Sequence, residues 1–256
     1  MATNLHAGDP ETTQLKDEES TIIFWQRKVV ENCLYGVDLN PVAVELAKLA
    51  LWLATVSTTQ PLSFLNHHLR HGNSLVGVQV DQLGTLPGEL ALVQNAFHNQ
   101  VAVRHPLLLG TLSQIRSLPS DNVPQVKKKE DLFLKTVESE RPPFRQIADV
   151  WTAAYFIADK DAAGAPVARP TPADYNALFA ALGVSKTFTP VRNSVALQNA
   201  RAAVKPIVPF HWELEFPDVF FDHKGRLLNP GFSAIIGNPP YDVLSSKETK
   251  TDLSAL

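Results

Sequence analysis

The stretch that most restricts the fold is Phe232-Ser-Ala-Ile-Ile-Gly-Asn-Pro-Pro-Tyr241. Phe232 to Ile236 is short, apolar and partly β-branched, and it stops at Gly237. A run of this kind, bounded by turn formers, predicts a parallel-sheet strand covered on both faces. The loop behind it is stiff. Pro239 and Pro240 fix φ and donate no backbone hydrogen bond, and Pro239 turns Asn238 away from helical geometry. In open α/β sheets ligands gather at the carboxyl ends of strands, where this loop falls.

The groups on the loop suit one kind of chemistry. An amino group on a planar base or amide is a poor nucleophile because its lone pair is delocalised. Two acceptors aimed at its hydrogens favour a more tetrahedral, reactive nitrogen. The Asn238 side-chain oxygen and the Pro239 carbonyl are acceptors of that type. Tyr241 offers a ring on which a flat base can stack, worth about 1–3 kcal/mol. An ordinary Pro-Pro turn after a strand has the same outline. The four residues resemble the catalytic motif of amino-methyltransferases that use S-adenosylmethionine, written Asn-Pro-Pro-Tyr or Asp-Pro-Pro-Tyr in that superfamily. The resemblance implies catalytic roles for Asn238, Pro239, Pro240 and Tyr241.

A second stretch, Leu34-Tyr-Gly-Val-Asp-Leu-Asn-Pro41, reads as a strand over Leu34–Val37 followed by a helix. Asn40 is a good N-cap, and Pro41 is preorganised for the first helical position. The helix should run from about Pro41 to Val56. Val44, Leu46, Ala47, Leu49, Ala50, Leu51 and Leu53 cover nearly all its faces, which predicts thorough burial. Asp38, at the carboxyl end of a Rossmann-type strand, is placed to accept both hydroxyls of a ribose. The alternative is a solvated loop aspartate. In the ribose reading Leu39 packs on the adenine ring of the cofactor. A helix with Ile22, Trp25, Val29 and Cys33 on one stripe precedes this unit. The next strand is expected at His67–Arg70. The following His71-Gly-Asn-Ser-Leu75 resembles the superfamily loop in which an Asp or Asn contacts the cofactor's adenine amino group, which implies that role for Asn73. His67, His68 and His71 lack a fourth ligand, so no zinc site is expected.

Composition sets limits on function. With 256 residues, 45% apolar and 19% charged, the chain has the make-up of a globular protein. No apolar run approaches the ~20 residues needed to span a membrane. The polar, acidic start lacks a secretory signal pattern. The single cysteine, Cys33, excludes an internal disulfide and suits a reducing cytoplasm. A net charge of −3 does not advertise nucleic-acid binding, so DNA contact would need a local basic face.

Residues 80–208 carry helical patterns near 130–140, 144–158, 173–183 and 192–203. The Lys127-Lys128-Lys129 run reads as a solvated face that can touch phosphate. The Ala/Gly/Pro stretch 162–172 is a long loop. Phe210, Trp212, Leu214 and Phe216 alternate with polar residues, which predicts a half-buried strand, and a hairpin turn follows at His223–Arg226.

Together, Tyr35–Leu53, Leu69–Gly77 and Pro209–Tyr241 resemble the large adenine-specific DNA methyltransferases of restriction-modification and phage-defence systems, particularly the Type IIG enzymes. The implied fold is α/β: a partial Rossmann-like class I methyltransferase with a large helical insertion. Residues 1–79 would form a cofactor-binding portion, 80–208 the insertion, and 209–256 the catalytic strand and loop. The implied cofactor is S-adenosylmethionine, and the implied partner is double-stranded DNA. Two departures stand out. No glycine-rich first motif precedes Asp38, and the chain runs only fifteen residues past Tyr241. These predict a fragment of a larger enzyme, inactive alone: either a truncated reading frame, or one piece of a split methyltransferase whose remainder would be a partner. A glutamine- or RNA-directed methyltransferase and a non-catalytic binding module are the alternatives.

Overall fold

The computed structural model describes residues 18–55, 61, 64–87, 107–181 and 194–238. The chain opens with α1 (Glu18–Asn32), β1 (Gly36–Asp38), α2 (Pro41–Ala54) and β2 (Leu69–His71). β1 and β2 pair in parallel, with Gly36 opposite Leu69 and Asp38 opposite His71. This is a βαβ crossover, the connection that parallel strands require. Asn40 caps α2 by accepting from the Val42 N–H at 2.9 Å, and Pro41 takes the first helical position. Val30, Val44, Leu65 and Leu69 form a small core beneath the pair.

Helix α2 departs from the expected burial. Val44 is its one buried residue, whereas Val42, Leu46, Leu49 and Leu53 are 62%, 59%, 46% and 57% exposed. Their spacing of four, three and four residues puts them on one stripe facing solvent. The buried face of α1 also differs from the expected one: Arg27 and Val30 point inward, and Ile22 and Val29 outward. Arg27 is held there by the Pro61 and Ser120 carbonyls.

A 3-10 turn (Val80–Gly84) leads toward the helical region. That region comprises α3 (107–117), α4 (Val123–Leu132), α5 (Glu138–Ala153), α6 (Pro172–Ala181) and α7 (Val195–Val204). A π-helical turn at Phe133–Val137 joins α4 to α5. Pro142 and Pro143 lie within α5, so the Glu138 and Ser139 carbonyls lack their usual helical donors. The main core gathers Leu83, Phe144, Ile147, Val150, Tyr175, Leu178, Leu197 and Val204, and extends to Leu214 and Phe221. Residues 160–171 form an irregular loop tied by a Lys160–Pro166 bridge.

Two expected strands are absent. The alternating 210–216 stretch forms a short helix, α8 (Trp212–Glu215), which α9 (Pro217–Phe220) follows directly. Its polar members are why: Glu213 and Glu215 are buried against specific donors and cannot form a solvent face. The hairpin is present as β3 (Phe221–Asp222) and β4 (Gly225–Arg226). Phe232–Ile236, expected as a buried strand, has no ladder partner among the described residues, and Ile235 and Ile236 are 77% and 99% exposed. A strand is buried only between neighbours, and none flanks this one here.

Candidate functional site

Asp38 ends β1, and its geometry is set locally. The Asn40 N–H donates to Asp38 Oδ1 at 2.7 Å, fixing the carboxylate at the start of the turn. The Asp38 backbone carbonyl accepts from the Gly72 N–H at 2.9 Å, and the His71 ring Nε2 lies 2.9 Å from the Leu39 carbonyl. The ends of the two strands are thus stitched together. Leu39 is 54% exposed beside them, an apolar face next to a carboxylate.

Asn73 stands one turn past β2. Its N–H donates to the Val208 carbonyl at 2.7 Å, and its Oδ1 accepts from the Leu75 N–H at 3.1 Å. The loop after it is fastened to residues 208–213 bond by bond. Phe210 N–H reaches the Val76 carbonyl, and Trp212 Nε1–H reaches the Ser74 carbonyl. Val78 N–H donates to His211 Nδ1, and Val80 N–H to Glu213 Oε2. Because Nδ1 accepts, Nε2 carries the ring proton and donates to Asp149 at 3.1 Å. Two glycines permit this contact. A Cβ on Gly72 would lie 2.7 Å from the Phe210 ring, and one on Gly77 would lie 2.2 Å from the Phe210 carbonyl oxygen.

Beneath the loop sits an ion network that the sequence reading missed. Glu215, 3% exposed, takes guanidinium donors from Arg70, Arg141 and Arg145. Burial alone would raise its carboxyl, but the three arginines outweigh burial and hold it down at about 2. Glu138 pairs with Arg70 and Arg141 as well. The network ties β2, α5 and α8 into one piece. Its sequence signal was present: acidic residues inside an aromatic run, at Glu213 and Glu215, are rarely tolerated there without dedicated partners.

The chain that leads to Asn238 is anchored at Phe232. Its ring lies 5.3 Å from Tyr35, 5.6 Å from Trp212 and 6.1 Å from Phe216. Tyr35 immediately precedes β1, and its hydroxyl donates to Asp218 at 2.8 Å, with Arg116 on the same carboxylate. Burial, with Asp218 adding to it, pushes the phenol well above its usual range. Asn238 itself is exposed. Pro239, Pro240 and Tyr241 lie outside the described residues. Asp38, Leu39 and Asn73 are therefore brought together at the ends of β1 and β2, and the approach to Asn238 starts from the aromatic cluster of Tyr35, Trp212 and Phe216.

His67 and His68 are buried rather than poised at a surface. His67 stacks on Phe64 at 5.2 Å and 9°, and His68 packs on Tyr35 at 4.1 Å. Neither Nδ1 has a hydrogen-bond partner among the described residues. Burial lowers both rings, His67 well below its usual range and His68 to about 4. No group of three metal-ligating side chains occurs among the described residues, and no helix there is long and apolar enough to cross a membrane.

Parallel strands joined by a helix, with an acid and an amide at their carboxyl ends, make up an α/β unit. Residues 32–255 match the model of the Eco57I restriction-modification methylase family. The chain belongs to that family. It is also 26% identical to a protein of Methanocaldococcus jannaschii named as a predicted type II restriction enzyme and methyltransferase, an alignment that covers 91% of this chain and 20% of that one. The chain thus spans about a fifth of the relative's length. No solved structure matches it.

Proposed function

We propose that this chain supplies cofactor- and base-binding elements of a DNA methyltransferase that acts on the exocyclic amino group of adenine, with S-adenosylmethionine as donor. The observation that carries the reading is the cradle at the ends of β1 and β2. There Asp38 faces the loop of Asn73 across a stitched strand pair, beside exposed Leu39. Asp38 accepts the ribose hydroxyls, Leu39 covers one face of the cofactor's adenine, and the Asn73 amide oxygen accepts from its amino group. Among the described residues the turn engages Oδ1 of Asp38, and the other oxygen would take a ligand hydroxyl.

The target adenine must leave the duplex stack, since its amino group is unreachable within it. Asn238 and Pro239 accept the hydrogens of that nitrogen, Pro240 stiffens the bend, and Tyr241 stacks on the base. S-adenosylmethionine, when bound, would supply the methyl group, and Asn238 and Pro239 would hold the nitrogen toward it while the surplus N–H proton leaves to water.

The edge of β1 bears on what completes the unit. The Gly36 N–H and the Asp38 carbonyl bond toward β2, so in a parallel ladder the Val37 N–H and C=O face the opposite edge. No strand pairs there among the described residues. In our reading a further strand, drawn from the part of the enzyme beyond the stretch matched here, pairs with that edge and covers Ile235 and Ile236. On this reading the chain alone does not methylate DNA.

The test is transfer of labelled methyl to duplex DNA by an assembly of this chain with the remaining polypeptide, followed by nucleoside analysis. N6-methyladenine that disappears in Asn238→Ala supports the reading. Methyl on cytosine, RNA or glutamine overturns it, as does transfer by the purified 256-residue chain alone.

A further inference from the structure

A cleft of about 390 Å³ opens between α5, α7 and the carboxyl end of β2, lined by His71, Arg145, Arg201, Lys205 and Val208. Its electrostatics run against those of the chain, whose net charge is −3. Arg145 belongs to the network of Arg70 and Arg141 on Glu138 and Glu215, and Arg201 and Lys205 add two cations at the mouth. Asp149 and Glu215 are the carboxylates that line the cleft, and Asp149 Oδ1 already accepts from His211. Three cations, Arg145, Arg201 and Lys205, therefore meet two carboxylates in the lining of one concave surface. The Lys205 side chain is exposed and has no ion-pair partner among the described residues. A concave wall of protein concentrates such an excess into a local positive potential.

The cleft adjoins the cofactor cradle. His71 lines it and also touches the Leu39 carbonyl, and Val208, on its rim, holds the Asn73 N–H. Val208 adopts φ 52°, a strained backbone for a β-branched residue, and strain of that kind gathers at functional sites.

We infer that this cleft binds a phosphodiester group of the DNA strand beside the target base. The inference rests on the DNA-methyltransferase reading. Arg201 and Lys205 supply the charge, and Arg145 supports them from the floor. A duplex held here by its backbone is read without regard to sequence, as phosphate contacts are.

The experiment measures binding of a fluorescein-labelled DNA duplex to the full chain by anisotropy across a range of salt concentrations. The expected result is salt-dependent binding whose slope of log K on log salt falls in magnitude by about 0.9 for each phosphate contact removed. Lys205→Glu should lose about one contact on two unrelated duplex sequences alike, and Lys205→Gln, which removes the charge but keeps a polar, helix-compatible side chain, should lose it too. Lys127→Glu with Lys128→Glu, exposed on α4 and outside the cleft, should leave the slope unchanged. Inorganic phosphate is the second probe. Displacement of the duplex only at concentrations set by ionic strength supports a DNA-backbone site, and displacement far below that marks a free-phosphate site and overturns it. The inference also fails if the Lys205 variants match the unaltered chain, if the α4 variant shows the same loss, or if no duplex binds. Binding of S-adenosylmethionine at Asp38, measured on the same samples, separates this failure from failure of the methyltransferase reading.

Discussion

Single side chains explain why the motifs carry the residues they do. Gly77 is required by a neighbour, since its missing Cβ is the space into which the Phe210 carbonyl fits. Gly77→Ala should cost about 1–3 kcal/mol, as overpacking does, and urea denaturation measures it. Among the described residues, Glu215 on α8 is the one carboxylate that three guanidinium groups share, from β2 and α5. Glu215→Gln leaves buried Arg70 and Arg141 with Glu138 alone to balance them, so a loss of about 3–5 kcal/mol is expected in the same assay. The two buried histidines set the acid response. Their native pKa values lie below the unfolded value of about 6.5, so the unfolded chain binds protons first as pH falls. The stability they contribute is present above about pH 6.5 and is lost toward about 4. Glu215, held at about 2, loses its contribution only below its unfolded value of 4.5. Melting temperature should therefore fall between pH 6.5 and 5, and His67→Phe, which keeps the stack on Phe64, should flatten that fall. An unchanged slope in the variant would falsify the assignment.

At the level of elements, α2 shows what periodicity reveals and what it leaves out. The cap at Asn40 and the proline at 41 were legible because both act within one turn. The burial of the helix was not, because an apolar stripe records what a face is made of and not what covers it. Val42, Leu46, Leu49 and Leu53 stay about half exposed or more here. Leu46→Lys with Leu53→Lys should leave stability within about 0.5 kcal/mol, as surface changes do, while lowering self-association in light scattering. A large loss of stability in that variant would show that the stripe is packed. Residues 210–216 failed for another reason. Alternation predicted a strand with a wet face, yet the charged members are consumed by Val80, Arg226 and the three arginines, and the chain coils into a short turn to deliver them. Long-range partners of that sort leave no periodic trace.

In the molecule as a whole, the βαβ unit and the helical core are joined by the zipper between residues 73–80 and 208–213. The sequence pointed to Asp38, Leu39 and Asn73 because each belongs to a short motif with its own local mechanics, and the structure places these three at one end of the strand pair. It located the arginines, the buried acids and the basic cleft not at all, since these arise from residues up to 145 positions apart. The expected strand at Phe232–Ile236 was an inference about neighbours, and its apolar residues stand exposed beyond the Phe232 anchor. The account turns on the cradle at the ends of β1 and β2. Its most direct test is a nitrogen-15 NMR titration of the chain with S-adenosylmethionine. Shifts confined to Gly36–Asn40 and His71–Leu75, and lost in Asp38→Ala, are the predicted result. Saturating binding that leaves those residues unmoved, or no binding at millimolar cofactor, would contradict it.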